Sequence, residues 1–166
     1  MRTVLRSGGG FALVEATEAD LELVRAGFDG AFDVDPDDRP VAPPSEIHRA
    51  VVVDQVTGAP LGDMSWHRVS WGRTYACGAW NMGIGLLPSA RGRGAGAGAL
   101  RLLVAHLFAT TDLDRVEAST DVVNTAAQRA IEAAGLRREG VARGAQLRGG
   151  ERRDMVMYGL LRSDLA

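Results

Sequence analysis

The chain contains one cysteine, Cys77, and no lysine; its nineteen basic residues are all arginine. A lone cysteine closes no internal disulfide, so a cytoplasmic home is expected. Cys77 sits in an apolar stretch and reads as a small buried thiol rather than a nucleophile. The missing lysine excludes a Walker-type phosphate loop, which ends in Gly-Lys-Ser/Thr. Histidines and cysteines are too few and too scattered for a metal site, so no metal is expected. No apolar run is long enough to span a bilayer, and the N-terminus lacks the apolar core of a signal peptide, so no membrane partner is expected. A net charge of -2 argues against nucleic acid as a bulk electrostatic partner. Without repeats or a long linker, 166 residues and 17.6 kDa read as a single domain, 1–166, with one core. Hydrophobic residues at 46% and charged residues at 24% are ordinary globular usage.

Glycine is plentiful, and it concentrates in Arg91-Gly92-Arg93-Gly94-Ala95-Gly96-Ala97-Gly98. An apolar run, Asn81 to Pro88, leads in, and a helix-patterned segment, Ala99 to Thr110, leads out. Strand, glycine-rich turn and helix together make a pyrophosphate site. Glycines let the backbone approach a ligand closely, and the first helical turn offers unpaired N–H groups at the positive end of the helix dipole. Arg91 and Arg93 add positive charge. Two spacings fit the loop. Gly92, Gly94 and Ala97 match G-x-G-x-x-A, with Glu117 or Asp121 as the later acidic residue, but too little chain follows to complete a dinucleotide fold. Arg91, Gly94 and Gly96 match R-x-x-G-x-G.

Around this loop the chain alternates strands and helices. Met1 to Gly10 reads as a short strand and a glycine turn, and Phe11 to Ala16 as a strand. Thr17 and Asp20 form a capping-box pattern before a helix to Phe28 with Leu21, Val24, Arg25 and Phe28 on its stripe. Gly30 to Pro44 is a proline-rich loop carrying Asp33, Asp35, Asp37 and Asp38; by composition alone it is a solvated surface loop. Strands are expected at Arg49–Gln55, Leu61–Trp71 and Thr74–Leu87, the last two joined around Gly72. A helix over Gly92–Thr110 buries Leu100, Leu103, Val104 and Leu107; a strand covers Arg115–Thr120, with Glu117, Ser119 and Asp121 on one face. Asn124 caps a helix that Gly135 ends, and a hairpin turns at Gly149-Gly150. From Phe11 onward the order is β-α-β-β-β-α-β-α-β-β.

The R-x-x-G-x-G loop resembles the coenzyme A-binding motif of the GNAT superfamily of N-acetyltransferases. A second match follows in order: Asn124-Thr-Ala-Ala127-Gln-Arg-Ala-Ile131-Glu-Ala-Ala-Gly135-Leu136, then Arg138-Glu139-Gly140. It is similar to the family's N-x-x-A/S-x-R-x-x-E-K-x-G-F…E-G segment, most of all in the branch that includes ribosomal-protein N-terminal acetyltransferases. The resemblance covers about half the chain strongly and the N-terminal half loosely. It implies an α+β fold, with a mixed, mostly antiparallel sheet flanked by helices and splayed open beside the pyrophosphate loop, where acyl-CoA wedges in.

The implied reaction moves an acetyl group from acetyl-CoA, a co-substrate, to a primary amine of a small molecule or a protein N-terminus. The resemblance assigns the pantetheine arm to the backbone of Ile84, Leu86 and Leu87. It assigns the pyrophosphate to Arg91 and the amides of Gly92, Arg93, Gly94, Ala95 and Gly96. Asn124 is assigned to the coenzyme arm, the helix cap, or both. Gly83 and Gly85 keep the strand clear and leave room for a larger acyl group. Three proton handlers usual in relatives are absent: a tyrosine position holds Ile131, a serine position Ala127 and a glutamate position Asn81. Candidate bases are Asp121, Glu117 and His67, with Asp121 preferred because its strand ends near the expected splay. The resemblance also lays the aspartate-bearing loop over the acceptor cleft, so a cationic acceptor is expected more than an anionic one. The chain is expected to work as a monomer or homodimer. The missing proton handlers leave a second reading, a non-catalytic module that binds acyl-CoA.

Overall fold

An eight-stranded sheet runs through the computed structural model, which describes residues 2–37, 39, 41–44 and 46–165. The strands are β1 (Val4–Gly8), β2 (Phe11–Glu15), β3 (Ile47–Asp54), β4 (Pro60–Ser70), β5 (Gly78–Leu86), β6 (Arg115–Asp121), β7 (Arg137–Arg148) and β8 (Glu151–Leu161). The helices are α1 (Glu18–Gly27), α2 (Ala95–Thr110) and α3 (Thr125–Ala133). In space the strands lie in the order β1-β2-β3-β4-β5-β6-β8-β7. Neighbours pair antiparallel except β5 and β6, which are parallel. A parallel pair needs a crossover, and α2 supplies it.

Both faces of the middle of the sheet are covered, and β3 shows why its sequence is an almost unbroken valine run. Ala50 and Val52 join Leu13, Met64, Met82, Val116 and Ala118 beneath α2. Val51 and Val53 join Ala12 and Val14 beneath Leu21 and Val24 of α1. The expected stripe of α2 is in place, with Leu100, Leu103, Val104 and Leu107 all buried. The capping box of α1 closes as the spacing predicts: the Asp20 N–H donates to Thr17 Oγ1 at 3.2 Å, and the Thr17 N–H to Asp20 Oδ2 at 3.3 Å. Asn124 caps α3 by accepting the Ala127 N–H at 3.1 Å. Gly149 and Gly150, at φ 57° and 74°, form the two-residue turn of the β7–β8 hairpin.

Three local expectations change. The strand expected from Thr74 begins at Gly78, because Tyr75–Cys77 forms a single 3₁₀ turn outside the sheet. Cys77 is therefore exposed rather than buried. Its Sγ lies 3.1 Å from Thr74 Oγ1, and that hydrogen bond draws the thiol below its usual range. Helix α2 begins at Ala95 rather than Gly92, because Gly94 takes the left-handed conformation as N-cap, φ 78°. Arg25 of the α1 stripe turns to solvent and pairs with Glu18 at 3.1 Å. Among the described residues no helix is long and apolar enough to cross a membrane.

Two substitutions test this packing. Leu103→Ala, at a side chain with 0% exposure, is expected to cost about 2–5 kcal/mol in a urea titration. Thr17→Ala, which removes the α1 cap, is expected to cost about 1 kcal/mol.

Candidate active site

The site begins where one pairing stops. Strands β5 and β6 are in register at Trp80–Val116, Asn81–Glu117 and Met82–Ala118. Beyond Met82, β5 continues to Leu86 and β6 to Asp121 without pairing to each other. The two strands diverge around a cavity of about 780 Å³. One wall is Met82 to Leu86; the opposite side holds Ala118 to Thr120. The loop before α2 and the first turn of that helix close one end, with Asn124, Ala127 and Ile131 beside them. The other end is closed by Phe32, Asp33, Gln146 and Arg148.

At the α2 end the residues suit an anionic ligand. The first bond entering α2 from its cap runs from the Gly98 N–H to the Gly94 carbonyl, 2.9 Å, so the amides of Ala95 to Ala97 precede it. Gly92 and Gly94 have φ of 73° and 78°, yet a Cβ on either would meet nothing within 4 Å. Their absent side chains serve backbone conformation more than space. Gly96 differs: a Cβ there would lie 3.3 Å from Ala130 Cβ and 3.5 Å from Leu86 Cδ1, so glycine lets α2 pass close to α3 and β5.

Arg91 lines this end and is already engaged. Its Nε donates to the Leu86 carbonyl at 3.2 Å, and its Nη1 and Nη2 donate to Asp29 Oδ2 and Oδ1 at 2.6 and 2.9 Å. The guanidinium, helped by the Ala31 N–H, holds the Asp29 carboxyl down to about 2. Arg93 does not line the cavity. It lies toward Asp54, whose carboxyl is held low mainly by the Thr57 amide and hydroxyl, with the Arg93 charge adding to them. Of the residues assigned to the coenzyme arm, Ile84 and Leu86 line the cavity, while Leu87 gives its N–H to the Leu61 carbonyl at 2.9 Å and packs into the core. Asn124 lines the cavity and caps α3 at once, its Oδ1 taken by the cap.

The room expected at the two strand glycines is partly filled. A Cβ on Gly85 would lie 2.6 Å from Phe28 Cζ, so the Phe28 ring occupies that space. At Gly83 the neighbour is Ser65 Oγ, 3.0 Å from such a Cβ.

The three candidate bases stand in different places. Register aligns His67, Asn81 and Glu117 in one row across β4, β5 and β6. Alternation sets this row on the α1 face, opposite Trp66 and Met82. None of the three is in the cavity lining, and His67 is half-buried. Glu117 is 3% exposed and one residue from the point of divergence; it accepts Trp71 Nε1–H at 2.9 Å, Arg115 Nε–H at 3.3 Å and an Asn81 Nδ2–H at 3.5 Å. Asp121, 2% exposed, lies three residues past the divergence, and both its oxygens are used: Oδ1 accepts the Val123 N–H at 2.9 Å and Oδ2 accepts Arg148 Nη1–H at 2.8 Å. A proton taken by Asp121 would break a buried ion pair. Ala127 and Ile131 line the cavity and bring no donor.

Arg148 and Phe32 were not legible from the sequence. Arg148 reaches the site from the end of β7, with Nη2 on Gln146 Oε1, and its buried Nε has no partner among the described residues. The Phe32 ring lies 5.5 Å from its guanidinium carbon. No local motif marks either residue. In the acidic loop, Asp33 lines the cavity. Asp35 is committed to the β7–β8 turn, where it accepts the N–H groups of Gly149 and Gly150 at 2.6 and 2.8 Å. Asp37 pairs with Arg39, which holds its carboxyl at about 2. Asp38 lies outside the described residues. Among the described residues no three His, Cys, Asp or Glu side chains converge as metal ligands.

This geometry agrees with what the chain is similar to. The family model described as "Acetyltransferase (GNAT) domain" matches residues 13–137. Among solved structures, RimJ of Mycobacterium smegmatis in complex with CoA-disulfide is 17% identical, with a TM-score of 0.74 over 99% of this chain and 87% of that one. The ribosomal-protein-S5-alanine acetyltransferase of Vibrio fischeri is 15% identical, with a TM-score of 0.74 over 96% and 97%. A GCN5-related N-acetyltransferase of Brucella melitensis is 20% identical, with a TM-score of 0.73 over 99% and 80%. These likenesses are of fold, and with the family match over most of the chain they establish that this protein belongs to the GNAT acetyltransferase family.

Proposed function

We propose that the protein is an N-acetyltransferase that moves the acetyl group of acetyl-CoA to a primary amine, on a small molecule or a protein N-terminus, by direct attack of the amine. The observation that carries this reading is the divergence of β5 and β6 past Met82–Ala118, which opens a cavity beside the Arg91–Gly96 loop. When bound, the coenzyme supplies an activated thioester. The loop amides and Arg91 hold its pyrophosphate, and the unpaired stretch of β5 orients the arm and donates to the carbonyl oxygen as charge develops there.

The amine needs a lone pair, so an ammonium must first lose its proton. Each carboxylate is held by an arginine, Glu117 by Arg115 and Asp121 by Arg148, and Glu117 fits that role better because it stands one residue from the divergence and Asp121 three. His67, in the same row, stands two strands away. A thiol is acidic enough to leave without a dedicated donor, which suits a site holding Ala127 and Ile131. Phe28 against Gly85 favours acetyl over longer acyl groups. Asp33, on the cavity wall, favours a cationic amine. The second reading, a non-catalytic acyl-CoA-binding module, rests on the same missing donors. Release of free thiol from acetyl-CoA over an amine panel separates the two, since a binding module releases none.

Glu117→Gln is expected to lower kcat about 10²–10⁴-fold with coenzyme affinity kept. An unchanged kcat takes the base role away from Glu117. Asp121→Asn is expected instead to lower the unfolding midpoint, because Arg148 loses its ionised partner. Gly94→Val forces a β-branched residue to positive φ and should weaken acetyl-CoA binding in calorimetry; full affinity in a folded variant would remove the loop from the coenzyme site. Asp33→Asn should raise the acceptor's KM at low salt and leave the KM for acetyl-CoA alone.

A further inference from the structure

One segment touches both ends of the cavity. At its start, Asp29 takes both terminal nitrogens of Arg91. At its end, Asp35 takes the two turn amides of Gly149 and Gly150, and its own N–H donates to the Leu147 carbonyl at 2.9 Å. Between them the chain turns tightly. Gly30 has φ 70°, and the Asp33 N–H donates to the Gly30 carbonyl at 3.2 Å. Phe32, at φ 67°, is the one non-glycine residue with positive φ among the described residues. Its ring faces Arg148, whose Nε is buried without a partner among the described residues. A bulky residue in the left-handed region and an orphaned buried donor are both unfavourable, and here they sit against each other.

Among the described residues three arginines, Arg91, Arg129 and Arg148, line the cavity, and Arg91 is the one that borders the glycine loop, with Gly92 and Gly94 next to it. Its Nε holds the Leu86 carbonyl and its fork holds Asp29. The fork cannot grip a carboxylate and a phosphate in the same bidentate way. We propose that Asp29 occupies the phosphate's place on Arg91, that coenzyme binding displaces it, and that this frees the strap Asp29–Asp35, lifting Phe32 from Arg148 at the acceptor end. This rests on the reading of the Arg91–Gly96 loop as the coenzyme site. The displaced contact is weak enough for the exchange to be ready: Arg91 and Asp29 are 44% and 41% exposed, and ion pairs this open are screened by water. Coupling is reciprocal, so whatever loosens the strap must also favour the coenzyme.

The test compares the wild type with Asp29→Asn and Asp35→Asn by calorimetry against CoA, ADP and pantetheine at low salt, with hydrogen exchange of the amides of residues 29–35. Asp29→Asn is expected to tighten CoA and ADP by up to about fivefold, the range of an exposed ion pair, and to leave pantetheine, which has no pyrophosphate, unchanged. Asp35→Asn, which cuts the strap's other anchor, should tighten CoA in the same direction. Saturating CoA should raise exchange across the strap in the wild type, and Asp29→Asn should show the raised exchange without ligand. If the wild type binds CoA but Asp29→Asn binds it no tighter, or the strap exchanges no faster with CoA bound, the proposal is overturned by itself. If the wild type fails to bind CoA, the coenzyme reading falls and takes this proposal with it.

Discussion

The structure depends on a parallel pairing that is short. Strands β5 and β6 share three registered positions, ending at Met82–Ala118. Each has another neighbour to hold it beyond that point. β5 stays bonded to β4 as far as Gly62–Leu86, and β6 to β8 as far as Asp121–Met155. The sheet can therefore open in its interior without leaving either strand unsupported. The opening exposes backbone donors and acceptors, which would be costly if buried without partners. A ligand arm that is itself rich in amides can satisfy them.

Arginine handles nearly all the ionic fastening around this opening, consistent with a chain that has no lysine. The planar fork matches carboxylates two bonds at a time. Arg91 grips Asp29 this way, and Arg115 grips Glu139 at 2.8 and 2.6 Å. Arg148 instead divides its fork between Asp121 and Gln146, joining the end of β6 to the end of β7. Such contacts have definite geometry, so they set which loop lies over which part of the cavity. They also tie up carboxylates that would otherwise look like bases. Both carboxylates near the divergence are held in this way, Asp121 by Arg148 and the Val123 amide, Glu117 by Arg115, Trp71 and Asn81.

Much of the fold was legible because its signals are local. The Thr17–Asp20 capping box, the Leu100, Leu103, Val104 and Leu107 stripe, the Asn124 cap and the Gly149-Gly150 turn each occupy a few consecutive residues whose conformation depends on neighbours in sequence. The failures have a physical pattern too. Cys77 was misread because apolar character near a strand does not say whether the chain has yet entered the sheet. Gly85 was read as open space because a glycine announces a missing side chain but not the neighbour that fills it, here Phe28. The acidic loop looked like free charge, whereas Asp35 and Asp37 are spent on Gly149, Gly150 and Arg39.

By itself the sequence determined the order of elements, the glycine loop with Arg91, and the absence of proton donors at Ala127 and Ile131. Each follows from residue identity and short-range spacing. Only the tertiary structure decided where the strands part, that His67, Asn81 and Glu117 fall in one row, and that Asp121 is bound to Arg148. It also decided that Asp29, 62 residues before Arg91, holds that arginine. These facts rest on strand register and on side chains far apart in the chain. Register is fixed by the burial of whole faces at once, a constraint that no short stretch of sequence carries.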